Sequence, residues 1–330
     1  VNAGNSNAFT GYRGREAVEQ IMAQVADHLG CDASEVFVSS TGVIGHFLPM
    51  EKIRAGIPKV VAQLSNSAEA GEAFAQGILT TDLVKKTAHT TLLINGKRVT
   101  LAGCCKGSGM IAPNMATMLS YIATDAAIHP SILQATLKEI ADKTFNCVTV
   151  DQHTSTSDTL AVLANGMAEN PLIKSGPSLR KFADALYEVC DSLAIQIAQD
   201  GEGATKLVRV IVTGALTKSD AKRAAEAIAN SALVKTAIHG SDPNWGRFVS
   251  AAGYSTAKMI PEKSACSIGN LLVFKNGRPT EIDLKKVQKV MKAKEVTITV
   301  DLGTTGDFTH RMYTCDLSRE YIAINADYHT

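Results

Sequence analysis

Residues 89–125 read HTTLLINGKRVTLAGCCKGSGMIAPNMATMLSYIATD. Two strand-like runs, 89–94 and 98–104, flank Asn95-Gly96, the pair that most readily takes the two positive-φ positions of a tight hairpin. A Gly107-Ser108-Gly109 stretch follows, then Pro113, then an apolar run at 118–123 of strand length. A hairpin leading into a further strand predicts a sheet built partly from antiparallel neighbours. Mixed with helices, such strands favour a layered α+β arrangement over a purely parallel, doubly wound sheet.

Working outward, the alternation of helices and strands continues. Ala17, Val18, Ile21, Met22, Val25 and Leu29 recur at helical spacing, and Gly30 follows as a stop signal. Residues 35–40 read as a short strand running into Thr41-Gly42. Residues 50–65 predict a helix with Ile53, Ile57, Val60, Val61 and Leu64 on one side, broken or kinked at Pro58. Amphipathic helices are predicted over 131–145 and 178–199, the second burying Leu179, Phe182, Leu186, Leu193 and Ile197. Residues 206–213 and 295–301 alternate like half-buried strands, and Asn276-Gly277 closes a second hairpin. Stretches 165–178 and 239–246 are the candidate junctions between units.

Composition narrows the class of protein. A length of 330 residues suggests two domains or one large layered domain. With 45% hydrophobic and 20% charged residues, the chain is ordinary globular material and not disordered. Lys+Arg 33 against Asp+Glu 32 leaves a net charge of +1, so no basic excess exists to meet nucleic acid. No apolar run approaches the roughly 20 residues of a membrane span. Seven cysteines, with Cys104 and Cys105 adjacent, fit reduced thiols in a cytoplasmic protein. The eight histidines are scattered without HExxH spacing, so no metal site is expected. The chain starts at Val1 without methionine or signal-peptide character, and we expect it to begin inside a longer protein.

The densest chemistry lies at 103–125. A phosphate loop needs its lysine after the glycines and a helix behind it. Here Lys106 precedes them and Pro113 follows. Nucleophilic catalysis is the alternative. A threonine hydroxyl needs an adjacent base, and cutting the chain before Thr117 would make its own α-amine that base. Such an amine has a reference pKa of about 7.7–8.0, leaving a useful neutral fraction near pH 7. On residue type alone, a β-branched residue opening a strand accounts for Thr117 equally well. An ordinary strand-to-loop turn likewise accounts for Thr41-Gly42.

The run from Lys106 to Leu119, KGSGMIAPNMATML, closely resembles the self-cleavage motif of the ornithine acetyltransferase family, also called bifunctional glutamate N-acetyltransferases. The resemblance covers essentially the whole chain. It includes Asn2-Ala-Gly-Asn-Ser-Asn-Ala, Ser39-Ser-Thr-Gly-Val-Ile-Gly, Thr80-Thr-Asp, Asp200-Gly-Glu-Gly-Ala-Thr-Lys, Asp242-Pro-Asn-Trp-Gly-Arg and the terminal Asn325-Ala-Asp-Tyr-His-Thr. The stretch 151–158 departs from it: the family more often carries glycine and an acid where Gln152 and His153 stand, which bears on the local loop conformation.

The resemblance implies an α/β/β/α sandwich with a smaller C-terminal α/β domain at about 241–318, the sandwich taking residues 1–116 as its N-terminal part and about 117–240 with the C-terminal tail as the rest. It implies self-cleavage at Ala116–Thr117 into an α chain of residues 1–116 and a β chain of residues 117–330, held in an α2β2 heterotetramer. Thr117 would be the nucleophile, and Thr41 and Gly42 the oxyanion hole. Thr80, Lys106, Thr117, Glu202, Asn325 and Thr330 would bind substrate, with Thr330 ordered against the site. The implied reaction is ping-pong transfer of acetyl from N-acetylornithine to glutamate in arginine biosynthesis. No cofactor is implied, and acetyl-CoA is a second donor in bifunctional members only. A self-cleaving aminopeptidase or amidase, which passes the acyl group to water, is the rival enzyme. An uncut binding protein on the same fold is the rival outside catalysis. Outside the family motif, Glu202 reads as a surface-loop acid, and Trp245 as a packed loop anchor.

Overall fold

The computed structural model describes residues 1–112 and 118–327. Strand β1 (Asn2–Asn5) pairs in parallel with β2 (Ser40–Val43), and helix α1 (Gly11–Leu29) makes the crossover between them. The stop signal works as expected: Gly30 takes φ 70 and its amide closes on the Ala26 carbonyl. The strand expected over 35–40 forms later, as β2 at 40–43. Residues 33–35 turn as a 3-10 helix instead, because the Glu35 side chain reaches back to the Asp32 amide and caps that turn locally.

Helix α2 (Met50–Val61) runs through Pro58 and ends three residues later. The carbonyl that a proline leaves without a helical donor is that of Arg54. It accepts from the Gln24 side chain of α1 at 2.9 Å, so no polar group is orphaned. Helix α3 (Ala68–Gly77) follows, with Ser67 Oγ accepting the Ala70 amide at its N-terminus.

The hairpin forms as the Asn-Gly pair predicts: β3 (Lys86–Ile94) and β4 (Lys97–Lys106) are antiparallel, with Asn95 at φ 48 and Gly96 at φ 82. β5 (Leu119–Thr124) pairs antiparallel to β4. A crossover containing α4 (Pro130–Ala141) then brings β6 (Thr159–Ala164) parallel beside β5, giving the order β3-β4-β5-β6. Helix α5 (Gly176–Gln199) lies along β3 and β4 and buries Phe182, Leu186, Val189, Leu193 and Ile197, the face that its periodicity marks.

The remaining chain builds a second sheet around β7 (Leu207–Ala215). Helices α6 (Lys218–Asn230), α7 (Ala232–His239) and α8 (Trp245–Tyr254) precede strands β8 (Ala265–Ile268), β9 (Leu271–Lys275) and β10 (Arg278–Pro279). Helix α9 (Leu284–Met291), strands β11 (Glu295–Asp301) and β12 (Phe308–Cys315), and helix α10 (Arg319–Asp327) complete the chain. The strand order is β10-β9-β8-β11-β7-β12, mixed in direction. Its core joins Val208, Val210 and Val212 to Ile298, Val300, Ile228 and Phe248. Trp245 is the packed anchor expected, stacked on Phe274 with ring centroids 4.9 Å apart.

The two larger cores meet at β7 and β12, which give Leu207, Tyr313 and Cys315 to one and Val208, Val210 and Met312 to the other, and α7 packs beside this seam. Lys235 is buried there, and its ammonium donates to the Val150 carbonyl at 2.8 Å and to Thr314 Oγ1 at 3.0 Å, tying β12 to the loop that leads toward β6. The fold is the mixed, layered α/β class with several sheets. All seven cysteines are free. Among the described residues, no helix is long and apolar enough to cross a membrane.

Candidate active site

Seven segments of the chain converge on one cavity of about 270 Å3. β2 brings Thr41 and Gly42, the loop after α3 brings Thr80, and the end of β4 brings Lys106. The turn between α5 and β7 brings Glu202, α10 brings Tyr321 and Asn325, and Met118 and Asp158 stand at the entrances to β5 and β6. Every described residue of the expected site is therefore in the same place. Ala116, Thr117 and Thr330 lie outside the described residues.

The parallel pairing of β1 with β2 puts Gly42 directly opposite Gly4. Gly42 has φ +124, and a Cβ there would stand 2.3 Å from the Gly4 carbonyl carbon, so only glycine lets the strands approach. Beside it, Thr41 Oγ1 accepts from the Lys106 ammonium at 3.3 Å. A hydroxyl that accepts from a cation keeps its own proton to donate, so Thr41 is suited to meet a developing oxyanion.

Lys106 is buried, and its charge is held by a network that residue-type reasoning passed over. Asp82, the last residue of the Thr-Thr-Asp motif, has a fully buried side chain with one oxygen 4.0 Å from the Lys106 ammonium. Its other oxygen accepts from Lys86 at 2.7 Å and from the Gly107 amide at 2.6 Å. Lys86 is 0% exposed and also donates to Asp200. Burial alone would raise the Asp82 carboxyl. The two lysines and the Gly107 amide outweigh it and hold Asp82 below its ordinary value. For Lys106 desolvation wins: burial lowers its proton affinity despite the opposing pull of Asp82. The sequence signal was present, an Asp two residues after Thr80 and a Lys four residues further on, but nothing in it said that both were buried.

Glu202 corrects the surface-loop expectation, being only 7% exposed. Its amide donates to the Ser108 carbonyl at 2.9 Å, while Ser108 Oγ donates back to the Asp200 carbonyl at 2.6 Å. Asn325 Nδ2 donates to the Glu202 carboxylate at 2.8 Å. Gly109 makes room for that carboxylate, since a Cβ there would come within 2.3 Å of it. Gly203, at φ +66, lets α10 pack closely enough to deliver Asn325.

The departing stretch 151–158 forms the remaining wall. Asp151 accepts the Met110 and Ile111 amides at 2.7 and 2.9 Å, anchoring the chain just before residues 113–117. Gln152 takes φ 65, a left-handed conformation that glycine adopts without cost, and its side chain is held by the Asn230 carbonyl at 2.7 Å. The non-glycine residue thus leaves the loop turned as glycine would, with a hydrogen bond offsetting the strain.

A buried cation, hydroxyl donors and acidic groups around one small cavity, on a mixed α/β scaffold, suit an acyltransferase acting on a small molecule. Comparison with known proteins makes this specific. The ArgJ family model matches residues 1–330, and the chain belongs to that family. An arginine biosynthesis bifunctional protein ArgJ of Bacillus cereus is 46% identical over 332 residues, covering this whole chain and 80% of that protein. Its counterpart in Geobacter sulfurreducens is also 46% identical over 332 residues, covering all of this chain and 84% of that protein. Among solved structures, the crystal structure of the arginine biosynthesis bifunctional protein ArgJ from Bacillus halodurans is 43% identical with a TM-score of 0.62, covering 64% of this chain and 100% of that one.

Proposed function

We infer that this chain is a glutamate N-acetyltransferase of arginine biosynthesis, moving acetyl from N-acetylornithine to glutamate through an acetyl-Thr117 intermediate. The observation that carries it is the convergence of Thr41, Gly42, Thr80, Lys106, Glu202 and Asn325 on one cavity whose wall includes Met118, the neighbour of Thr117. Cleavage between Ala116 and Thr117 frees the α-amine that serves as base for the threonine hydroxyl. The hydroxyl attacks the acetyl carbonyl, and Thr41 with the Gly42 amide stabilises the oxyanion. Lys106 meets the substrate α-carboxylate and Glu202 its ammonium, with Thr80, Asn325 and Thr330 completing the grip. Ornithine leaves, glutamate takes its place, and the second attack regenerates the threonine.

We propose that the fragments assemble as an α2β2 heterotetramer in the cytoplasm; the β-chain boundary expected at about residue 241 would cut through the sheet in which β7 pairs with β11. Seven free thiols suit that compartment. No cofactor takes part, and acetyl-CoA enters only as a second acetyl donor.

The test is direct. Denaturing electrophoresis of the 34.9 kDa chain should give fragments of about 12 and 23 kDa, the larger beginning at Thr117, and Thr117→Ala should give one uncut band. Ornithine release should equal N-acetylglutamate formed. Free acetate would indicate hydrolysis instead, and a single band from the unaltered chain would indicate an uncut binding protein. Glutamate acetylation from acetyl-CoA alone decides whether the second donor is used.

A further inference from the structure

One carboxyl in the cavity has no task in this scheme. Asp158 stands immediately before β6. The Thr159 amide donates to the Met118 carbonyl at 2.7 Å, and the parallel ladder starts at Leu119 opposite Thr159. This register holds Asp158 beside the residue that follows Thr117. Both of its carboxyl oxygens are buried without a hydrogen-bond partner of ordinary geometry, and it enters no ion pair among the described residues. A carboxylate buried in this way is costly, and the group responds by keeping its proton. Burial pushes Asp158 up to about 8, against the weaker pull of the nearby Met118 amide and Lys106 ammonium. The titratable groups sharing its cavity are Lys106 from β4, Asp151 and His153 from its own loop, Glu202 from the turn after α5, and Tyr321 from α10, with Asp82 behind Lys106. Asp158 is therefore a neutral acid at pH 7.

The reaction leaves a proton to place. Attack of a threonine hydroxyl on an acetyl amide yields an ester and an amine, and ornithine departs as ammonium with one proton more than amide and hydroxyl supply. In the second half, glutamate arrives as ammonium and leaves as amide, releasing one proton. Building on the acyl-transfer reading, we propose that Asp158 is the catalytic proton store of this site, giving its proton to the departing amine and recovering one from the entering ammonium. In the first half the Thr117 Oγ–C bond forms and the amide C–N bond breaks. The nitrogen receives the threonine proton by way of the α-amine and a second proton from Asp158, which is left as a carboxylate facing the Lys106 charge. In the second half that carboxylate takes one proton from the glutamate ammonium. The free amine attacks the ester, and the threonine oxygen recovers the amine's second proton. An ordinary carboxyl near pH 4 would be ionised at rest and have nothing to give.

The experiment separates the half-reactions by rapid quench over a range of pH. Ornithine release should slow as pH rises above about 8, and transfer from preformed acetyl-enzyme to glutamate should slow toward acid. In Asp158→Asn the alkaline limb of ornithine release should vanish and each half should fall by about 10²-fold or more, the usual worth of a positioned proton donor. Asp158→Glu should restore that limb. An alkaline limb that persists in Asp158→Asn overturns the proposal while leaving acyl transfer intact. Absence of ornithine release from the unaltered enzyme at every pH sinks the transfer reading and the proton store with it. Should the variants fail to fold, infrared titration of the unaltered enzyme with isotope-labelled aspartate decides the matter. A protonated aspartic acid band persisting at pH 7 and lost near 8 supports the store, and its absence overturns it.

Discussion

Asp82 receives two lysines and a backbone amide, and through them sets where Lys106 stands and how the Gly107 turn is held. Replacing it by Asn would leave Lys86 fully buried with Asp200 as its only carboxylate partner among the described residues. Breaking such a buried pair should cost about 3 kcal/mol at pH 7, read by urea unfolding. The sign with pH follows from the folded carboxyl lying below its ordinary value. Its stabilisation is fully present above the unfolded value of about 3.9 and is lost as pH falls through the folded one, so Asp82→Asn should flatten the acid limb below about pH 4. Gly109 offers a second test. A Cβ there collides with the Glu202 carboxylate, so Gly109→Ala should raise KM for N-acetylornithine by about tenfold, or 1.4 kcal/mol, with a smaller change in kcat.

At the scale of elements, the β1–β2 pair exists to place Thr41 and Gly42, and the close approach at Gly4 makes it intolerant of any side chain. Gly42→Ala should lower acetyl transfer by about 10²-fold or more, while circular dichroism, set by the larger sheets, stays nearly unchanged. In β12, a register irregularity between Phe308 and His310 turns the His310 ring toward Cys147, with Nε2 and Sγ 3.8 Å apart. Burial, aided by the charges of Lys222 and Arg311, lowers His310 to about 4. The unfolded chain then binds a proton near pH 6.5 that the folded chain refuses. Stability should fall as pH drops from about 6.5 toward 4, and the urea midpoint of His310→Gln should be flatter over that window.

At the scale of the molecule, a cut before Thr117 would not loosen the fold. β4 and β5 pair from Lys106–Leu119 through Leu101–Thr124 on either side of it, and the β3–β4 hairpin packs on α5. The two fragments should co-elute in native size-exclusion chromatography and separate only in denaturant, since parting them opens a ladder and exposes a shared core. The hairpins at Asn95-Gly96 and Asn276-Gly277, the helix ending at Gly30, and the buried face of α5 were legible in the sequence, because each depends on local backbone preference or on a period that survives in one dimension. The strand expected over 35–40 was not, because a side-chain cap at Asp32 overrode its apolar pattern. The site residues were legible only as family motifs. Glu202 read as a surface acid outside its motif, and Asp82 and Asp158 stood in named stretches without a role, because burial is a property of neighbours brought from elsewhere in the chain. The sequence by itself determined where helices and hairpins begin, and its family motifs marked the candidate site residues. The tertiary structure alone decided which carboxyls are ionised and which keep their protons, since that choice turns on desolvation and on charges more than a hundred residues away, such as Lys86 against Asp200.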